Sequence, residues 1–72
     1  MTDRTYKLTN LIGESSQGIE AAVKTALATS AEKVHGQTWV EVKDIRANVG
    51  DGGTIDRWQV EVEVAFAVDD AS

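Results

Sequence analysis

Every second residue from Trp58 to Val68 is apolar: Trp58, Val60, Val62, Val64, Phe66 and Val68. Arg57, Gln59, Glu61 and Glu63 carry the opposite parity. Period two puts these two sets on opposite faces of an extended strand, and a helix would scatter both around its circumference. The run is about twice as long as a usual strand of about 5–6 residues. The chain must therefore form a sheet with one apolar face that needs cover and one polar face turned away from it.

The cover is read upstream. Glu14-Ser15-Ser16-Gln17 is a helix start with Ser15 as N-cap, its hydroxyl accepting from a free backbone N–H, and Ser16 would serve nearly as well. Ile19, Ala22, Val23, Ala26, Leu27, Ser30 and Val34 follow at helical spacing. Glu20 and Lys24 form an i,i+4 pair, and Gly36 stops the helix. The stripe is thin and alanine-rich, which suits close packing on a sheet. A first strand spans residues 4–12 and ends at Gly13, and a second spans residues 38–49. In the second strand Val40 and Val42 share one face, but Ile45 falls on the other parity. A bulge near Lys43–Asp44 returns Ile45 to the apolar side. Gly50-Asp51-Gly52-Gly53 is a hairpin turn, since a strand rather than a helix follows it. The reading is an α+β chain of order β-α-β-β, a three-stranded antiparallel sheet packed on one helix, as a single domain over residues 1–72. Met1 to Asp3 and the acidic residues 69–72 read as its ends.

Size and charge narrow the possible partners. A chain this short buries only about 60% of its unfolded surface. It has no cysteine, so neither a disulfide nor a thiolate zinc site can reinforce it. Self-association is the expected source of further stability. A net charge of −5 argues against nucleic acid. No stretch resembles a membrane span or a signal peptide, and the expected location is the cytoplasm.

Trp39 is the residue that points to function. It shares a strand face with Glu41 and Lys43, where a large flat apolar surface needs a partner. Either a neighbouring subunit or a planar ligand covers it. Gln59 belongs to the same polar face, and the two can sit near one level on neighbouring strands. An indole to stack on a fused heteroaromatic ring and a carboxamide for its polar edge make a sensible pocket. Arg46 offers charge-assisted bonds to a phosphate, or is simply solvated or salt-bridged. Trp58 has core parity. His35 at the helix end has no second histidine to make a metal site. Glu41, Glu61 and Glu63 are expected to form a solvated face, the alternative being an acidic cluster that binds cations in an oligomer. Ser15 and Ser16 have no base near them in sequence, so no catalytic residue is assigned.

These residues in this order resemble the dodecins, small flavin-binding proteins of bacteria and archaea. The likeness runs from Thr5-Tyr6 to Val68. It includes Leu11-Ile12-Gly13 before the helix, Gly18-Ile19-Glu20-Ala21-Ala22, the segment Trp39-Val40-Glu41-Val42-Lys43-Asp44-Ile45-Arg46, and Trp58-Gln59-Val60-Glu61-Val62. The resemblance implies a hollow homododecamer of tetrahedral symmetry with flavin pockets at its subunit interfaces. There, two flavins lie between two symmetry-related tryptophans, here Trp39. Gln59 matches the residue that bonds the pyrimidine edge, and Arg46 the one assigned to the phosphate of flavin mononucleotide (FMN), the preferred bacterial ligand, with riboflavin as the alternative. The implied role is flavin storage and protection from photochemistry, not turnover. The alternative is a structural shell with a weak or unused pocket, and some relatives bind coenzyme A on the shell. Thr38 and Val40 stand where many bacterial members have aspartate and phenylalanine, and Ala67 where a basic residue is common.

Overall fold

The computed structural model describes residues 3–68. The residues expected as an acidic tail, 69–72, and the first two residues lie outside the described part. Strand β1 (Thr5–Ser15) leads to helix α1 (Ile19–Ala31), strand β2 (Gln37–Val49), a short turn (Asp51–Gly53) and strand β3 (Ile55–Val68). The sheet order is β1-β3-β2, antiparallel throughout. The long alternating strand is thus the central one, as its buried valines require.

The helix lies over β1 and β3. Val60, Val62, Val64 and Phe66 form the sheet side of the core, and Ala22 and Ala26 form the helix side. Leu11, Val23, Leu27 and Val40 are packed against its edge. Small helix residues allow the close approach that the alanine-rich stripe suggested. Thirteen helical residues span about 20 Å. Fourteen strand residues span about 46 Å. The helix therefore leaves the far part of the apolar face bare. Val42, Ile45 and Val49 on β2 are 45%, 46% and 71% exposed, although they point to the helix side.

Three local readings are corrected. Gly13 does not end β1; the strand continues to Ser15, and buried Gly13 pairs with Val60. Its missing side chain makes room for the helix, because a Cβ there would run into the Ala22 carbonyl. Ser15 is not the N-cap. Its Oγ accepts from the Gln17 N–H at 3.0 Å in a turn after the strand, while Gly18 caps the helix without a side-chain bond. Strand pairing with Trp58 holds Ser15 in extended backbone. Gly36 does not stop the helix either. The helix ends at Ala31, and Gly36 sits at the entry to β2, its carbonyl accepting from the Ala67 N–H at 3.0 Å.

The bulge is where the sequence placed it. The β2–β3 register shifts between Val42 and Asp44, and Ile45 comes opposite Val60. The same shift turns Asp44 and Arg46 toward the opposite face. In the hairpin turn Gly52 and Gly53 both have positive φ, as such a turn requires.

Candidate functional site

The sheet face away from the helix has an apolar end and a charged end. At the apolar end Trp39 is opposite Ala65, which is opposite Leu8 on the other side. Ala65 and Ala67 have no side chain beyond Cβ. Across them the Tyr6 and Trp39 rings come within 4.7 Å, centroid to centroid, tilted by 54°. Ala65 is fully buried, while Trp39 remains 46% exposed. The result is an apolar patch in which the Trp39 ring is braced by the tilted Tyr6 ring, with Leu8, itself 51% exposed, beside it. Tyr6 was not singled out in the sequence, because its meeting with Trp39 crosses the middle strand.

Along β2 and β3 the rest of the face is a ladder of charges, with Asn10 and the exposed Ile12 beside it on β1. Glu41 stands opposite Glu63, and Lys43 Nζ lies 3.8 and 3.9 Å from their carboxylates. Arg46 Nη2 lies 2.9 Å from Asp44 Oδ2 and 3.5 Å from Glu61 Oε1. Beyond it, Gln59 Nε2 donates to Glu14 Oε2 at 2.7 Å, and Glu14 Oε1 lies 3.7 Å from Arg57 Nη1. These ion pairs are partly exposed and each contributes roughly 0–1 kcal/mol. Five carboxylates face three cations, so the ladder is acidic on balance. A shallow depression of about 510 Å³ lies along β1, beside Asn10, Leu11, Ile12 and Glu61.

Gln59 and Arg46 are direct neighbours in the register, and the structure brings them together. It does not bring Trp39 to them. Trp39 is opposite Ala65, six positions along β3 from Gln59, or about 20 Å. The expectation that the indole and the carboxamide share one level is therefore wrong within a single chain. Gln59 is close to the hairpin turn and Trp39 is far from it, so an antiparallel pairing sends them to opposite ends.

The other candidates have quieter places. Trp58 is half-buried with core parity, at the rim, as its spacing predicts. His35 is exposed in the segment before β2. Among the described residues no group of three or more His, Cys, Asp or Glu is arranged to hold a metal ion. No helix among them is long and apolar enough to cross a membrane.

A family model described as Dodecin matches residues 5–69. The chain belongs to the dodecin family. A Dodecin of Thermus thermophilus is 37% identical over 67 residues, covering 93% of this chain and 96% of that protein. A solved Thermus thermophilus structure superimposes with a TM-score of 0.89 at 36% identity, covering 96% of this chain and all of that one. The dodecin from Streptomyces davaonensis gives a TM-score of 0.89 at 30% identity, with the same coverage. The β-α-β-β arrangement is that of the solved dodecins, so the resemblance read from the segments around Trp39 and Trp58 holds over the whole fold.

Proposed function

We propose that the chain is a flavin-binding protein, not an enzyme. It holds FMN, or riboflavin in its place, between tryptophans at the interfaces of a hollow homododecamer and shields it from photochemistry. The observation that carries this reading is Trp39, nearly half exposed on an apolar patch with Tyr6 and Leu8. An indole left bare in this way is costly in water, and its own face is a surface on which a planar ring can stack. The roughly 20 Å between Trp39 and Gln59 adds a requirement. Stacking from the indole and hydrogen bonding from the carboxamide reach one ligand only if different copies of the chain supply them. The bare strip of Val42, Ile45 and Val49 gives those copies an apolar surface to bury. A patch flanked by ion pairs supports binding rather than turnover. The test is an absorbance spectrum of the purified protein with mass analysis of any released ligand. A yellow protein that releases flavin supports the reading, and a colourless protein that leaves added flavin fluorescent overturns it.

One observation favours a second reading, a shell whose pocket is weak or which takes coenzyme A instead. Arg46 is already engaged by Asp44 and Glu61, so an incoming phosphate must compete with two carboxylates. Arg46→Ala is expected to weaken FMN by about tenfold or more, since a charge-assisted bond contributes about 1.5–3 kcal/mol. Riboflavin, which has no phosphate, should change little. Equal losses for both ligands in parallel titrations would remove Arg46 from the phosphate role.

Assembly is tested separately. Size-exclusion chromatography with light scattering should give a mass close to a dodecamer of the 7.8 kDa chain, with no stable monomer at micromolar concentration. A monomer would refute the shell and, with it, the pocket shared between copies.

A further inference from the structure

Glu14 lies on β1 directly opposite Gln59, on the face that carries the charge ladder. Its two oxygens have different tasks. Oε2 accepts from Gln59 Nε2 at 2.7 Å, while Oε1 lies 3.7 Å from the Arg57 guanidinium. An ionised carboxylate can only accept, so it takes the NH₂ end of an amide and rejects the carbonyl end. A half-buried glutamine beside a neutral partner is free to turn either end outward. Beside Glu14 it has one orientation, with Arg57 holding the carboxylate from the other side. The Gln59 carbonyl oxygen then has no hydrogen-bond partner among the described residues.

We propose that Glu14 is a positioning residue: it fixes the polarity of the Gln59 carboxamide, so that the site takes a planar ring whose polar edge carries an N–H donor. This deepens the flavin reading and rests on it. The oxygen of Gln59 accepts from the ligand, and its second N–H is left to donate to an adjacent carbonyl. A cyclic imide edge, C=O beside N–H, matches both. A ring with an alkyl group on that nitrogen meets an acceptor it cannot satisfy, and leaving a polar group unpaired in a closed site is what produces selectivity.

The test uses the whole protein, riboflavin, and 3-methylriboflavin, in which the imide proton is replaced by a methyl group. Fluorescence quenching reads the binding of each. The wild-type protein should prefer riboflavin by about tenfold or more, the equivalent of one buried hydrogen bond. In Glu14→Gln the neighbouring amide can donate as well as accept, so Gln59 is released to turn. Riboflavin should weaken and the preference should shrink to roughly two- to threefold, at unchanged oligomer mass. A merely structural loss would weaken both ligands equally and keep their ratio. Glu14→Asp, which keeps an acceptor-only group, should retain part of the preference. A wild-type preference that survives intact in Glu14→Gln overturns the role of Glu14 while leaving the flavin reading standing. Equal binding of the two ligands by the wild type overturns the imide selection. Quenching of neither ligand by the wild type overturns the flavin reading itself, and this inference with it.

Discussion

Trp39→Ala is expected to remove nearly all flavin binding while the assembly survives. A tryptophan side chain offers roughly 150–250 Å² for burial, and about half of that is still exposed in the subunit. Covering it with a ring contributes about 2–3 kcal/mol at 25 cal/mol per Å², and stacking geometry adds roughly 1 kcal/mol. The sum corresponds to a loss of several hundredfold in affinity. Trp39 is outside the buried cluster of Ala22, Ala26 and the β3 valines, so the fold should tolerate its truncation. The Tyr6 ring loses its neighbour but keeps its strand position. Titrating protein into free flavin checks this directly, since a stacked indole quenches flavin fluorescence. The wild type should quench strongly and the variant hardly at all, at the same mass by light scattering. If Trp39→Ala falls apart while Gln59→Ala stays assembled, Trp39 serves the subunit interface and the ligand reading fails at that residue.

Gly13→Ala should be the most damaging small substitution in the chain. A Cβ at Gly13 would collide with the Ala22 carbonyl of the helix and approach Ala26 Cβ to 3.0 Å. Neither obstacle is a flexible side-chain tip. A helix carbonyl cannot rotate away without breaking its own hydrogen bond, so the helix must lift from β1. Overpacking of this kind costs about 1–3 kcal/mol or more. For a domain of this size each kcal/mol lowers Tm by about 4–8 °C, so a fall of roughly 10–20 °C is expected. Gly13→Val should not assemble at all, because the displaced helix also uncovers Val60, the strand partner of Gly13. Circular dichroism melts of both variants beside the wild type check the effect. An unchanged Tm for Gly13→Ala would show that the helix does not approach β1 this closely in solution.

Local chemistry makes Gly13 a natural strand end, since glycine often closes a strand. Its actual role depends on a helix that begins six residues later and folds back over it. Ser15 departs from its local expectation for a related reason. A serine before an apolar-periodic stretch is a good cap, but pairing with Trp58 across the sheet holds it in the strand. Tyr6 and Glu14 carry no local signal, because their partners, Trp39 and Gln59, are 33 and 45 positions away along the chain.

What the chain declares locally is parity and periodicity. Alternation from Trp58 to Val68, the helical stripe after Ile19 and the glycine-rich turn each act over a few residues. Together they were enough for the β-α-β-β order, for the bulge after Val42 and for the face to which Trp39, Gln59 and Glu61 belong. Side-chain direction in a strand follows from covalent geometry alone, which is why it can be read without knowing any contact. The level of a residue along the sheet has a different origin. It depends on which residues pair, and pairing is a balance of turn geometry, bulges and burial over the whole hairpin. That balance set Arg46 beside Gln59 and carried Trp39 about 20 Å away from both. It also placed Glu14 against the Gln59 amide, a contact between two strands that no spacing in the sequence announces.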